Sequence, residues 1–257
     1  MRGLAGKTFI VAGGATGIGA GTAERLAEEG ANVVIGDINI TGAVATAEKI
    51  RENGGVALAV GFDLADDDSV RELIARAVAE FGGLHGLHNV GADLSPNNLG
   101  RDKTLVDTDL DVWTRTMDVN VVGYVRTCRA ALPHLLDQGG GSIVNTSSGA
   151  AVSSSDGKRP AYSASKAGVN SLTRHIARNW GPKGIRCNGV MPGYVMGELQ
   201  RKHNDVELQQ MFLSMVPTTR LGEPRDLGAA VAFLLSDDAE WINGQTWAID
   251  GGANMRE

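Results

Sequence analysis

The sequence lacks the features that mark several large classes of protein. It has two cysteines, Cys128 and Cys187, far apart and with no C-x-x-C pair, which excludes a disulfide framework and a zinc cluster. The net charge of −6 leaves no basic surface for nucleic acid or anionic membranes. No uncharged apolar run approaches the roughly 18 residues of a membrane span. We therefore expect a cytoplasmic protein whose partner is a small-molecule substrate.

What is present is a balance of side chains suited to a sizeable core. Hydrophobic residues make up 42% of the chain and charged residues 21%, which is typical of a globular protein. Glycine is abundant, at 35 of 257 residues, without the triplet period of collagen. This excess of glycine predicts tight turns and close approaches of backbone segments.

From Lys7 onward, short apolar runs alternate with longer segments of helical periodicity. This order indicates an α/β protein with a parallel sheet that helices cover on both faces. The predicted strands are Thr8–Ala12, Asn32–Asp37, Val56–Phe62, Gly83–His88, Ser142–Thr146, Arg186–Val190 and Thr246–Ile249. The predicted helices are Gly19–Glu29, Thr41–Glu52, Asp67–Phe81, Leu110–Asp137, Pro160–Trp180, Glu198–Met215 and Glu223–Leu235.

No linker or repeat divides the chain, so we predict one domain over residues 1–257. The glycines at 139–141 are interpreted as a helix stop, with an interdomain hinge as the alternative. Residues 93–107 and 150–159 are predicted loops over the carboxyl edge of the sheet, where open α/β folds bind ligands. Residues 194–215 are a predicted lid over the same edge.

The first predicted strand runs into a glycine-rich turn, Gly13-Gly14-Ala15-Thr16-Gly17-Ile18-Gly19, and a helix opens directly after it. Glycines let backbone N–H groups approach a pyrophosphate at the positive end of the helix. A glycine-rich turn alone is a weak signal, but the strand before it and the helix after it support a dinucleotide site. The predicted cofactor contacts in this turn are Gly13, Thr16, Gly17, Ile18 and Gly19.

Asp37 closes the second predicted strand, where an acidic residue accepts hydrogen bonds from the adenosine ribose of NAD. Its neighbours Gly36 and Ile38 offer no base for the extra phosphate of NADP, and the carboxylate repels that phosphate. We predict NAD as the preferred cofactor. The alternative is a solvated aspartate that closes a strand.

Tyr162 and Lys166 stand four residues apart on a predicted helix, and so share one face. A nearby cation favours tyrosinate, so we expect Lys166 to lower the pKa of Tyr162 and make it a general acid or base. Taken alone, such a pair is more often a surface feature.

Ser148 follows a predicted strand and could reach the same reacting oxygen. Asn120 interrupts an apolar helical pattern, where a buried amide needs partners; a structural cap is the alternative.

These motifs together resemble the short-chain dehydrogenase/reductase family in its single-domain form, over nearly the whole chain. The resemblance implies a doubly wound Rossmann fold with about seven parallel strands, and an NAD(P)-dependent oxidoreductase. It implies a catalytic set of Asn120, Ser148, Tyr162 and Lys166. Asn120 would anchor a proton-relaying water, and Lys166 would hold the nicotinamide ribose. Further cofactor contacts implied by the resemblance are Asp63, Leu64, Asn89, Gly91, Pro192, Gly193 and Val195, besides Tyr162 and Lys166.

The sequence departs from the family pattern at several positions. Ala12 stands where relatives often have threonine, and His88 and Val90 replace an asparagine and an alanine of the N-N-A-G motif. Gly197 occupies the place of a threonine that holds the nicotinamide carboxamide in many relatives. Ser147 is the alternative catalytic serine, because the spacing from Ser148 to Tyr162 is one residue longer than in the family.

The remaining conspicuous residues are expected to be structural. His85 and His88 lie on opposite faces of a strand, so we predict no metal site. Met211, Phe212 and Met215 have helical spacing that favours core packing, although a substrate lid remains the alternative. Other apolar lid candidates are Met196 and Leu199.

The predicted function is reversible hydride transfer between NAD(H) and a secondary alcohol or ketone, with a hydrophobic or cyclic substrate. A β-ketoacyl carrier-protein reductase is the first alternative, and a non-catalytic NAD sensor is a second. A nucleotide-sugar epimerase or dehydratase is a third, disfavoured by the short region after Pro192. The family implies pairing of long helices into a homotetramer.

Overall fold

One parallel sheet organises the computed structural model, which describes residues 1–153, 157–197 and 206–255. Its strands are β1 (Thr8–Ala12), β2 (Asn32–Asp37), β3 (Val56–Gly61), β4 (Gly86–Asn89), β5 (Gly141–Thr146), β6 (Ile185–Pro192) and β7 (Thr246–Ile249). They lie side by side in the order β3-β2-β1-β4-β5-β6-β7, and each pair is parallel. The chain therefore reverses its direction of travel across the sheet between β1 and β4, and the predicted doubly wound Rossmann fold is confirmed.

Helices cover both faces of this sheet, as predicted. The described helices are α1 (Gly17–Glu28), α2 (Ile40–Glu52), α3 (Asp67–Phe81), α4 (Leu110–Met117), α5 (Gly123–Asp137), α6 (Pro160–Trp180), α7 (Val206–Ser214) and α8 (Pro224–Leu235). Apolar side chains of α1, α2 and α8 form one core, and those of α3, α5 and α6 form the other. Because both faces are covered, all residues of β1 and β4 are buried. Within the described ranges, no helix is long and apolar enough to cross a membrane.

The predicted helix Leu110–Asp137 is broken in one place. A π-helical turn over Asp118–Val122 separates α4 from α5. Such wide turns concentrate at functional sites, and this one contains Asn120. Periodicity could not reveal it, because the extra residue leaves the apolar pattern on either side intact.

Most other predicted boundaries lie within one or two residues of the observed ones, and two elements differ more. β4 spans Gly86–Asn89 rather than Gly83–His88, because its register is set by pairing with β1, from Phe9 opposite Gly86 to Ala12 opposite Asn89. The predicted helix Glu198–Met215 is described only as α7, and residues 198–205, which include Leu199, lie outside the described residues.

Candidate active site

A cleft of about 800 Å³ lies at the carboxyl edge of the sheet, around the point where the strand order reverses. Ligands bind at this position in open α/β folds. Most of the residues predicted to bind the cofactor or to catalyse the reaction line it. They are Gly13, Thr16, Gly17, Ile18, Gly19, Asp37, Asp63, Leu64, Gly91, Ser148, Tyr162, Lys166, Pro192, Gly193 and Val195.

The glycine-rich turn leaves its backbone open to the cleft. Gly13 has φ +106°, and a Cβ there would lie 2.4 Å from the backbone nitrogen of Gly91. A Cβ at Gly19 would lie 2.0 Å from the carbonyl oxygen of Gly13. Thr16, at the start of α1, makes no side-chain capping bond, so the first N–H groups of the helix face the cleft without an internal acceptor. This arrangement fits the phosphates of a dinucleotide.

Asp37 is fixed beside this turn by two backbone donors. Its carboxylate accepts from the N–H of Ala15 at 3.0 Å and from the N–H of Asn39 at 2.9 Å. Among the described lining residues the basic ones are Arg115 and Lys166, and Arg115 is paired with Asp93 at 2.9 Å. The charge beside the turn is therefore negative, which suits ribose hydroxyls better than a phosphate.

Lys166 is fully buried at the inner end of the cleft. Its Nζ donates to the carbonyl oxygen of Thr146 at 2.8 Å and lies 5.3 Å from the ring centre of Tyr124 and 5.8 Å from that of Tyr162. Burial lowers the pKa of the Lys166 ammonium to about 7. One carbonyl and two aromatic faces thus hold this cation where it can change protonation state near neutral pH.

The Tyr162 hydroxyl behaves differently from the prediction. Burial raises its pKa above the ordinary value, while a hydrogen bond with Ser148 and the charge of Arg159 lower it in part. The net shift is opposite to the one that the spacing from Lys166 predicts, because both groups are desolvated in this pocket. Ser148 is therefore the direct polar partner of the phenol.

The two neighbouring serines have separate roles. Ser147 is buried and its Oγ donates to the backbone carbonyl of Lys166 at 3.1 Å. Ser148 is partly exposed to the cleft, accepts from the N–H of Ala150 at 3.2 Å, and contacts Tyr162. The geometry favours Ser148 over Ser147 as the serine beside the reacting oxygen.

Two predicted asparagines lie below the cleft rather than on its wall. Asn120 Oδ1 accepts from the N–H of Asp93 at 3.1 Å, and its Nδ2 donates to Ser165 Oγ at 3.2 Å. Asn89 accepts from Thr127 Oγ1 at 2.7 Å, and its side chain is fully buried. The amide of Asn89 therefore holds β4 to the neighbouring elements, and a contact of Asn89 with the cofactor stays a prediction.

The two histidines take part in the sheet. His88 is fully buried and its Nε2 lies 2.8 Å from Thr146 Oγ1, and burial lowers the His88 pKa to about 3. His85 Nδ1 accepts from the N–H of Thr8 at 3.1 Å. Within the described part of the chain, no group of three His, Cys, Asp or Glu is placed to hold a metal ion.

The lid candidates lie at the surface. Met211 is 44% exposed and Met215 is 50% exposed, so the prediction that they belong to the core is wrong. Phe212 stacks on Tyr194 with ring centres 4.2 Å apart. The exposed side chains of Met211 and Met215 are accessible to a ligand, so the lid alternative is kept for them. Met196 is buried, and Gly197 lines the cleft.

Sequence reasoning missed several residues of the site. The Tyr124 ring, which faces Lys166, looked like one more apolar position of a helix. The backbone carbonyl of Thr146 has no sequence signal at all. Arg115, Asp93 and the buried Asp102 became visible only through their partners in space.

Comparison with known proteins identifies the family of the chain. The family whose model matches residues 13–254 is described as "Enoyl-(Acyl carrier protein) reductase". A 7alpha-hydroxysteroid dehydrogenase of Bacteroides fragilis is 36% identical over 99% of this chain and 97% of its own length. A cis-4-hydroxycyclohexanecarboxylate dehydrogenase of Sinomonas cyclohexanicum is 39% identical over 97% of each chain. A solved 7alpha-hydroxysteroid dehydrogenase, in complex with NADH and 7-oxo glycochenodeoxycholic acid, has a TM-score of 0.88 and 31% identity, covering 98% and 95% of the two chains.

The chain therefore belongs to the short-chain dehydrogenase/reductase family. It is an oxidoreductase that acts on alcohol groups and the corresponding ketones.

Proposed function

We propose that this protein is an NAD-dependent dehydrogenase that oxidises a secondary hydroxyl group on an alicyclic ring, reversibly, to the ketone. The observation that carries the proposal is the contact between Ser148 and Tyr162 at the inner end of the cleft, with the Lys166 ammonium directly behind them. Two hydroxyls and a cation around one point suit a reaction in which a substrate oxygen loses a proton.

In the proposed mechanism, each side chain acts on that oxygen or on its proton. When the alcohol is oxidised, the Tyr162 oxygen takes the hydroxyl proton and releases its own phenol proton, while the carbon–hydrogen bond breaks; in the reverse reaction Tyr162 gives a proton to the ketone oxygen. Ser148 donates a hydrogen bond to the same oxygen as its charge changes. When bound, NAD would supply the hydride acceptor. Lys166 would hold the nicotinamide ribose, and Asn120 would anchor a water that passes the released proton on.

The chain's own residues fit the dinucleotide along the whole cleft. The turn from Gly13 to Gly19 would hold the pyrophosphate, and Asp37 the adenosine ribose. Asp63 and Leu64 would border the adenine. The segment from Pro192 to Val195, with Gly91 opposite, would border the nicotinamide. The Asp37 carboxylate is the reason to prefer NAD over NADP.

A ring-shaped substrate is supported by two observations. The names of the similar dehydrogenases refer to a hydroxyl on a steroid or on a cyclohexane ring. In this chain, the exposed Leu94 lines the cleft, and Tyr194, which stands between the lining residues Gly193 and Val195, stacks on Phe212; these apolar surfaces suit the flat face of an apolar ring.

The β-ketoacyl carrier-protein reductase alternative is kept because the description of the matching family names a carrier-protein reductase, although one that acts on an enoyl group. It differs in cofactor and direction, since reduction of the β-ketone of an acyl thioester with NADPH would dominate over oxidation of a ring alcohol. The NAD-sensor alternative would not need Ser148, Tyr162 and Lys166 together. The homotetramer and the cytoplasmic location stay predictions from the sequence.

The test is NAD reduction over a panel of alicyclic secondary alcohols, sterols with a ring hydroxyl, linear alcohols and polyols, with an acetoacetyl thioester and NADPH as the opposing assay. We expect turnover with ring alcohols and NAD. Wild-type protein that binds NAD but oxidises none of the panel would move the assignment to a sensor, and dominant reduction of the acetoacetyl ketone would move it to the carrier-protein class.

Matched variants connect the activity to the site. Tyr162→Phe should lower kcat by about 10² to 10⁴ while NAD still raises the melting temperature, because only the proton transfer is removed. The decrease in kcat should be far larger in Ser148→Ala than in Ser147→Ala, the variant of the neighbouring serine. Equal losses in the two serine variants would contradict the assignment of Ser148.

A further inference from the structure

The helix that carries the proposed acid/base begins without a capping side chain of its own. α6 starts at Pro160, and Arg159 before it has a left-handed backbone (φ 61°, ψ 48°) and makes no side-chain cap. Pro160 has no N–H, and the N–H of Ser163 donates to the Arg159 carbonyl at 2.9 Å. Two amides of the first turn, those of Ala161 and Tyr162, still need an acceptor.

A single carboxylate from a distant loop satisfies both amides. Asp102 is 4% exposed, and its Oδ2 accepts from the N–H of Tyr162 at 2.8 Å while its Oδ1 accepts from the N–H of Ala161 at 3.3 Å. Thr108 Oγ1 lies 3.5 Å from the same Oδ1. A negative charge at the N-terminus of a helix is also favourable for the helix dipole.

The segment around Asp102 is tied to the same place by its backbone. The carbonyl of Lys103 accepts from the N–H of Arg159 at 2.9 Å, and the N–H of Lys103 donates to Thr108 Oγ1 at 2.9 Å. A left-handed backbone at a residue other than glycine needs such surrounding support. Asp102 and Lys103 therefore clamp the entry to α6 from two sides.

The clamp belongs to the loop at residues 93–107, which also reaches the cleft. Asp93, Leu94 and Ser95, at the start of this loop, line the cleft. The N–H of Asp93 donates to Asn120 at 3.1 Å. The loop thus contacts the substrate end of the cleft, the π-helical turn and the start of α6.

We propose that Asp102 is a positioning residue for the reaction: its carboxylate fixes the first turn of α6 and so sets the Tyr162 hydroxyl against Ser148. The inference rests on the proposed function, because its consequence is a rate. Tyr162 is the third residue of α6, so loss of the cap displaces it directly. Lys166, one turn further on, is held separately by Thr146. A misplacement of about 1 Å at a reacting group can cost about 10²-fold in rate.

The test compares Asp102→Ala and Asp102→Asn with a matched cap elsewhere. Asp66 is an exposed residue that caps α3 through one oxygen, Oδ1, which accepts from the N–H groups of Asp68 and Ser69, and neither it nor α3 lines the cleft. Asp66→Ala therefore removes two carboxylate–amide bonds at a helix start without touching Tyr162. We expect kcat to fall by about 10- to 100-fold in Asp102→Ala, less in Asp102→Asn, which keeps one acceptor oxygen, and to remain at the wild-type level in Asp66→Ala.

Two further measurements separate positioning from general destabilisation. The Kd for NAD should stay close to that of wild type in both Asp102 variants, since the glycine-rich turn is untouched. Amide hydrogen exchange of residues 161–163 should become faster in Asp102→Ala and stay unchanged in Asp66→Ala. If Asp102→Ala folds poorly, Asp102→Asn provides the same comparison.

Each outcome decides the question. Unchanged exchange at residues 161–163 would refute the cap, and faster exchange with wild-type kcat would refute the positioning role. Equal losses of kcat in Asp102→Ala and Asp66→Ala would mean that the loss comes from general destabilisation and not from the position of Tyr162. Wild-type protein with no alcohol turnover would refute the proposed function instead, and would leave the exchange experiment to decide whether Asp102 holds α6.

Discussion

Burial of Lys166 predicts how the stability of the protein depends on pH. The side chain is 1% exposed, and burial lowers its pKa from 10.5 to about 7. In the unfolded chain the ammonium regains an ordinary pKa of about 10.4. Between these two values the unfolded state holds more protons than the folded state. The free energy of unfolding must therefore rise with pH across this window, and the stabilisation is lost as pH falls toward 7.

The size of the effect follows from the shift. Where the unfolded state holds one proton more than the folded state, the free energy of unfolding rises by about 1.4 kcal/mol per pH unit. Because folded Lys166 is half protonated at pH 7, the slope starts lower there, and the gain from pH 7 to pH 8.5 is between about 1 and 2 kcal/mol. Lys166→Met keeps a side chain of similar length without the charge. The variant should be more stable than wild type at pH 7, and its advantage should shrink by the same amount at pH 8.5.

The assay is urea unfolding of both proteins at several pH values from 7 to 8.5, at one fixed protein concentration. All other titrations are common to the two proteins and cancel in the difference. Lys183→Met, at an exposed lysine, is the control and should show a constant difference from wild type. A constant difference between wild type and Lys166→Met would refute the reasoning, because it would mean that Lys166 binds protons equally in both states.

Three further predictions address the cofactor, the phenol and the assembly. Asp37→Ser should raise kcat/KM for NADP much more than for NAD, and an unchanged NAD-to-NADP ratio would remove Asp37 from the ribose site. Arg159→Asn keeps a residue tolerant of the left-handed backbone but removes the charge that lowers the Tyr162 pKa. That pKa should rise, and the pH profile of alcohol oxidation should move to higher pH; a profile that stays in place would contradict the charge effect. Light scattering at micromolar concentration should give the mass of four subunits, and a monomer mass would exclude the tetramer.

The residues that could be predicted from the sequence are those with a local signature. The glycine-rich turn can be recognised in the sequence because its tight turn and close backbone approach require glycine at Gly13 and Gly19. This requirement is local and does not depend on the rest of the chain. Asp37 follows from the end of a strand, and the pair Tyr162 and Lys166 follows from helical spacing. The alternation of strands and helices, and hence the parallel sheet, could be predicted for the same reason, because each element has its own hydrophobic periodicity.

The parts that could not be predicted depend on partners distant in the chain. Asp102 caps a helix that begins 58 positions later, and nothing in its own neighbourhood indicates that role. The environment that raises the pKa of Tyr162 is a consequence of tertiary burial, which spacing to Lys166 does not measure. Asn89 matched a family motif, yet its amide is already used by Thr127.

The position of β1 inside the sheet has a consequence for how the chain folds during synthesis. β1 pairs on one side with β2, which follows closely, but on the other side with β4, from Phe9 opposite Gly86 onward. A nascent chain that has made only β1, β2 and β3 therefore presents an unpaired inner strand to its surroundings. Such an edge is a template for pairing with other chains, and non-local parallel pairing is slow to form. The interval before Gly86–Asn89 leaves the ribosome is thus when this protein is most exposed to aggregation and most in need of a chaperone.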